Sequence, residues 1–293
     1  MKGKSIVEVL VVFVLLQVSG WAFFSTELAT VETRILGWSY VAGVIGILVP
    51  IAILLLTRRS FKSYGLTLEG WKYNLDVGLT CYLVLLIPYG LLIGLLLIFH
   101  TSYMEMPGAV VLAAGEILAL YLILSILRRR ERASRATLAR PHAATLNLLI
   151  LITLLFLPIL VGFCLDRLTL KVASTVIWQF VFSGFGEELL FRGYYQSRIN
   201  QEFGRPYSFL GVNFGIGLII ASLLFAFAHV LNPFNPFIGS LDLTWSWGLW
   251  AFFSGLFFGF VREKTESIIA VGIAHGLPDA VGESFGLMFH LMP

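Results

Sequence analysis

Hydrophobic positions in this chain fall in long unbroken runs rather than at every second position. Nine runs stand out, at residues 5–24, 35–57, 77–99, 109–127, 144–165, 172–191, 209–230, 245–261 and 267–290. Each is close to the roughly 20 residues that an α-helix needs to cross a hydrocarbon core. Runs this long are helices rather than barrel strands, because a helix satisfies its own backbone groups and barrel strands alternate. The pattern predicts an all-α, polytopic transmembrane bundle of eight to nine spans. The seventh and eighth runs set that range, since Pro233 and Pro236 crowd the connection between them.

Composition agrees with this reading. The 293 residues are 58% hydrophobic and 13% charged, about half the roughly 25% charge of soluble domains. Mean hydropathy is +0.89. No stretch is left for a sizeable soluble domain, so residues 1–293 are expected to form one membrane domain, with N-terminal helices over 1–170 and a catalytic core over 171–293. The first run resembles a signal peptide but lacks a small-residue cleavage site, and it reads as a retained helix.

Charge sets orientation. With the N-terminus and every second loop on one side, 17 of the 20 Lys and Arg collect there. That asymmetry puts the N-terminus in the cytoplasm and the C-terminus outside, and a prokaryotic plasma membrane is the expected location. The Arg-rich segment 128–140 reads as a topology determinant against anionic headgroups, with a docking patch as the alternative. The net charge of +3 and the placing of basic residues in loops give no sign of nucleic acid. Cys81 and Cys164 sit inside apolar runs and are expected to be buried free thiols. Small-residue pairs Gly90/Gly94, Gly211/Gly215 and Gly255/Gly259 suggest close helix contacts.

Ionisable groups at membrane depth are costly, and each is a functional candidate. Here they are Glu8, Glu116, Glu187, Glu188, His229, His275, Asp279 and Glu283. Glu8 lies near a helix end and can reach the interface, and Glu116 reads as a buried hydrogen-bonded group. The remaining six lie in the last 110 or so residues. His275, Asp279 and Glu283 share one helix face at i, i+4 and i+8. Glu188 and Arg192 are an i, i+4 pair with the acid N-terminal to the base, and Glu187 points about 100° away from Glu188. A carboxylate and an imidazole on different helices are what deprotonating a water requires. A second His and a polar neighbour can stabilise an oxyanion. The alternative is a polar network that only holds helices together.

Three segments together resemble the CAAX protease and bacteriocin-processing (CPBP) intramembrane proteases. Glu187-Glu188-Leu189-Leu190-Phe191-Arg192 matches the EExxxR motif, Phe225 to His229 matches FxxxH, and His275 to Asp279 matches HxxxN/D, in family order. The resemblance covers about residues 170–290. It implies that Glu187 and His229 activate the attacking water and that Glu188 orients the site. It assigns His275 and Asp279 to oxyanion stabilisation, with Arg192 as a structural partner and Phe225 as a supporting residue. The best-studied members have Asn at the position of Asp279. An amide can donate to an oxyanion whereas an ionised Asp can only accept, so Asp279 is protonated, or orients His275, or the donor lies elsewhere. Straight-helix arithmetic also places His229 near the face opposite Glu187.

The implied activity is endoproteolysis of a membrane-anchored, lipidated or C-terminal-tail protein or peptide in the bilayer. No cofactor is expected. Zinc or another divalent metal is the less favoured reading, because HExxH spacing is absent and the family is described as metal-independent glutamate proteases. Two other classes are an ion-coupled transporter using the same groups as a relay, disfavoured by the lack of inverted repeats, and a non-catalytic immunity protein.

Overall fold

The computed structural model describes residues 3–134 and 143–290. Helices stand over all nine apolar runs: α1 (Lys4–Phe24), α3 (Tyr40–Leu56), α4 (Trp71–Ile98), α5 (Met106–Ser134), α6 (Ala143–Cys164), α7 (Leu170–Trp178) with its continuation, α9 (Ile216–Val230), α10 (Trp245–Thr265) and α11 (Ile268–Phe289). Two short helices, α2 (Glu27–Leu36) and α8 (Ser197–Phe203), complete the set. Four helices, α1 and the described spans in α4, α5 and α6, are long and apolar enough to cross a membrane, and a fifth span results if α2 and α3, bent by 110°, are taken together. Apolar side chains such as Val11, Leu15, Leu91, Phe156 and Phe163 point outward from them. Exposed apolar surface on this scale needs lipid, not water, as its solvent.

Several element boundaries depart from the apolar runs, each for a local reason. The second run is preceded by α2, whose Thr26 cap accepts from Ala29 N and whose end is closed by Gly37 at φ 84°. Over the fourth run, α5 continues to Ser134, so Arg128, Arg129 and Arg130 lie on helix rather than loop. Arg135 and Arg140, on which the docking-patch reading also rests, fall outside the described residues. The seventh run starts as a β-hairpin instead of a helix. Strands β1 (Tyr207–Phe209) and β2 (Val212–Phe214) pair antiparallel with Phe209 opposite Val212. Leu210 and Gly211, both at positive φ, make the two-residue turn that suits a hairpin. α9 therefore begins seven residues late, and His229 lies only about 20 Å along it at about 1.5 Å per residue.

The sixth run is the most altered. After α7 the backbone shifts to i→i+5 bonding in a first π segment, Gln179–Glu187, and a second, Leu189–Gln196, before α8. π turns are rare, mostly single, and frequent at functional sites. The helix thus does not stop at Phe191, and Arg192, expected at a loop edge, is fully buried. Arg262, likewise counted with a loop, is buried in the last turn of α10 and donates from Nη2 to Ser197 Oγ at 3.2 Å.

The chain forms two compact units. One comprises Met1–Ala22, Leu83–Ala139 and Phe191–Glu266; the other comprises Phe23–Tyr82, Arg140–Leu190 and Ser267–Pro293. In the first unit Glu8 does not reach for the interface: it accepts from Tyr194 Oη at 2.7 Å and Arg198 Nε at 2.8 Å. Glu202 caps α1 by accepting from the backbone N–H of Gly3 and Ser5, and these bonds hold its carboxyl down to about 2. Glu116 is buried and accepts from Tyr89 and Ser254, with Trp250 Nε1–H donating to Tyr89 in turn. Gly255 and Gly259 pack α10 against Ser222 and Leu218 of α9. The other two glycine pairs do not act this way. Gly90 and Gly94 face open space, and Gly211 and Gly215 lie in the hairpin turn and at the start of α9.

In the second unit, Leu75, Leu79 and Tyr82 of α4 form a core with Ile273 and Leu277 of α11. Trp38 stacks on Trp178 at 4.5 Å, and Trp178 Nε1–H donates to Ser39 O at 3.0 Å. Cys81 is buried as expected, but Cys164 is exposed, because it closes α6 beyond the outward-facing Leu160 and Phe163.

Candidate active site

Four of the seven candidate residues belong to the second unit: Glu187 and Glu188 at the end of the first π segment, His275 and Asp279 on α11. The two helices touch backbone to backbone. A Cβ on Gly184 would lie 2.5 Å from Gly276 Cα, and one on Gly276 would lie 2.8 Å from Phe180 O. Gly276→Ala is therefore expected to destabilise the protein by about 1–3 kcal/mol, the usual cost of overpacking, and to depress activity. Thermal unfolding in detergent checks this, with Gly282→Ala, which meets open space, as the unaffected control.

This close approach lets short polar side chains bridge the helices. Glu188, 0% exposed, accepts from His275 Nδ1 at 2.9 Å. His275 Nε2 faces Asp279 Oδ2 at 3.4 Å. Ser183 Oγ donates to the same Asp279 oxygen at 3.4 Å, and Gln179 Nε2–H donates to Glu283 Oε2. Each nitrogen of His275 thus faces a carboxylate, one closely and one at long range. Glu187 is half-buried at the end of the first π segment, and π winding holds more residues per turn than 3.6, so it stands less than 100° from Glu188. Asp279, at 36% side-chain exposure, and Glu283 are also partly open. The cluster therefore has a buried side (Gln179, Ser183, Glu188, His275) and an accessible side (Glu187, Asp279, Glu283).

The other three candidates belong to the first unit and form a stack. Phe225 is the middle of it: Arg192 Cζ lies 4.3 Å from its ring centroid and the His229 ring 4.4 Å. Phe258 and Phe191 add further faces to Arg192, at 5.3 and 5.8 Å. A guanidinium over aromatic faces is held by their quadrupoles, more strongly when desolvated. The Phe four residues before His229 thus supports both Arg192 and the imidazole. Trp247 meets the His229 ring in an edge contact at 5.1 Å. His229 Nδ1 lies 2.8 Å from Phe225 O. A carbonyl only accepts, so Nδ1 carries the proton and Nε2 is the basic nitrogen.

Gln179 and Ser183 were not among the sequence candidates. Neither is ionisable, yet Gln179, Ser183 and Glu187 share the i, i+4, i+8 spacing of His275, Asp279 and Glu283, and that second ladder is the signal that identifies them. Among the described residues no group of three or more His, Cys, Asp or Glu is arranged to hold a metal ion.

Residues 169–281 match the family model described as Type II CAAX prenyl endopeptidase Rce1-like. No curated protein and no solved structure matches the chain.

Proposed function

We propose that this chain, whose residues 169–281 match the Type II CAAX prenyl endopeptidase Rce1-like model, is an intramembrane endopeptidase of that kind, which cleaves with a water activated by Glu187 and His229. The substrate is a membrane-associated protein or peptide whose C-terminal region carries a lipidated Cys. Glu187 takes a proton from the water, whose oxygen attacks the scissile carbonyl. The tetrahedral intermediate collapses as the C–N bond breaks, and the proton passes to the departing amine. The observation that carries this reading is the half-buried Glu187 next to a Glu188–His275–Asp279 chain that is buried at Glu188 and His275 and open at Asp279.

Two details of geometry favour the roles given to the other residues. Nδ1 of His275 is committed to Glu188 at 2.9 Å, so Glu188 orients the ring. The 3.4 Å contact to Asp279 is near the outer limit of a hydrogen bond, so Nε2–H is the donor that a developing oxyanion can draw away. On this reading Asp279 acts as the orienting acceptor for His275, a part that an ionised Asp can play. The joining of His229 to Glu187 is carried by the motifs. Its Nδ1 bond to Phe225 O suits it to the part, since Nε2 is then the nitrogen that accepts a proton. The distribution of basic residues supports a cytoplasmic N-terminus, and a prokaryotic plasma membrane is the proposed location.

Reconstitution in proteoliposomes with a farnesylated C-terminal peptide as probe tests this function. Release of the residues after the lipidated Cys is the expected result. Ion or solute uptake without any peptide cleavage would favour a transporter instead. The reaction is written without a metal, so chelation of divalent cations is expected to leave the rate unchanged. Loss of activity that zinc restores would move the chemistry to a metal-bound water.

A further inference from the structure

Three polar contacts link the first π segment and Glu188, just after it, to α11 in antiparallel order: Glu188 with His275, Ser183 with Asp279, and Gln179 with Glu283. The first two engage motif residues. The third reaches Glu283, beyond residue 281, where the family match ends. We propose that Gln179 and Glu283 are a positioning pair, whose bond fixes the rotation of α11 and with it the aim of His275 and Asp279.

Gly184 and Gly276 bring the two backbones together with no side chain between them, so the contact is a fulcrum on which one helix can roll over the other. Restraint has to come from bonds on both sides of it. Glu188–His275 supplies one side. On the other side, Ser183–Asp279 at 3.4 Å is a weak restraint. The next contact is Gln179–Glu283, an amide N–H given to a carboxyl oxygen at close range. Gln179 is 3% exposed, so water does not replace the bond when it opens.

The spacing supports a built register. α11 spends four residues between successive contacts. The facing stretch spends four between Gln179 and Ser183 but five between Ser183 and Glu188. An i→i+5 turn absorbs the additional residue, and all three contacts stay in step. Glu283 is also within electrostatic reach of Asp279, Glu187 and His275, so a shift at this end is felt at the reacting end. Glu283 touches no reacting atom in this arrangement, and its contribution is through the geometry of its neighbours.

This inference rests on the endopeptidase reading, and one proteoliposome assay with the farnesylated peptide separates the two. Cleavage by wild type and its loss in Glu187→Gln uphold the reading, so a positioning pair that fails in that assay fails alone. Glu283→Ala and Gln179→Ala are each expected to lower kcat about 10–100-fold, the range for outer partners of a site, with KM unchanged. Glu283→Gln keeps an acceptor oxygen for Gln179 and is expected to keep kcat near wild type. Gln179→Glu sets two carboxylates against each other and is expected to lose activity, and adding Glu283→Gln restores it by reversing the bond. Wild-type kcat in Glu283→Ala would overturn the proposal. So would a Glu283→Gln variant as slow as Glu283→Ala, since charge rather than position would then be the contribution. Should an Ala variant fail to accumulate in membranes, the Gln179→Glu/Glu283→Gln exchange decides: recovery supports the pair, and continued loss contradicts it.

Discussion

Glu187→Gln is expected to lower kcat by about 10²–10⁴-fold, the typical contribution of a general base, with KM little changed. The two side chains have nearly the same shape, so packing around the half-buried position is preserved while the proton acceptor is lost. An amide cannot take a proton from water in the working pH range. The adjacent change, Glu188→Gln, separates the roles of the two carboxylates. Its oxygen still accepts from His275 Nδ1, so a smaller loss is expected, through weaker orientation of the ring. Single-turnover cleavage of the farnesylated peptide measures both. Equal losses in the two variants would mean that the carboxylates act as one unit.

His275→Ala has the largest expected effect on stability. Glu188 is fully buried and its 2.9 Å contact with His275 is a charge-bearing bond. Removing one partner of such a pair costs about 3–5 kcal/mol, because the other charge stays desolvated with less to compensate it. His275→Asn retains a side-chain N–H and is expected to recover part of this. Adding Glu188→Gln to His275→Ala removes the buried charge and is expected to recover more. Thermal unfolding in detergent checks the order of stability: wild type first, then the Asn variant, with His275→Ala last. A His275→Ala protein as stable as wild type would show that the contact carries no net stabilisation.

Much of the site is legible in the sequence because its chemistry is costly in lipid. Adjacent carboxylates and three polar residues at i, i+4 and i+8 stand out in apolar runs, and the structure gathers Glu188, His275 and Asp279 as that spacing implies. α9, which carries His229, falls outside the four long apolar spans by its length of 15 residues, because the hairpin takes the start of its run. Gln179 and Ser183 went unread because neutral polar residues cost less to bury and raise no alarm singly. The π segments were hidden for a different reason: a shift from i→i+4 to i→i+5 bonding changes the backbone and leaves the run of apolar residues intact. The hairpin at 207–214 was masked because Phe209, Val212 and Phe214 join smoothly to the apolar start of α9, although Gly211 marks the turn. The missed α2 did have its signals, with Thr26 before Glu27 and Gly37 at the end.

The fold also explains why so few side chains carry the motifs. Phe225 serves two neighbours at once, holding Arg192 on one face and the His229 ring beside it. Arg192→Lys is not a conservative change there, because a compact ammonium loses the planar stacking of the guanidinium. Gly184 and Gly276 let a carboxylate and an imidazole bridge two helices directly.

The most direct measurement is mass spectrometry of products released in membranes containing wild type, compared with Glu187→Gln at equal protein level. A water-activating Glu187 predicts one defined C-terminal cut in a lipidated substrate with wild type and none with the variant. The same cut at an undiminished rate in Glu187→Gln would contradict it.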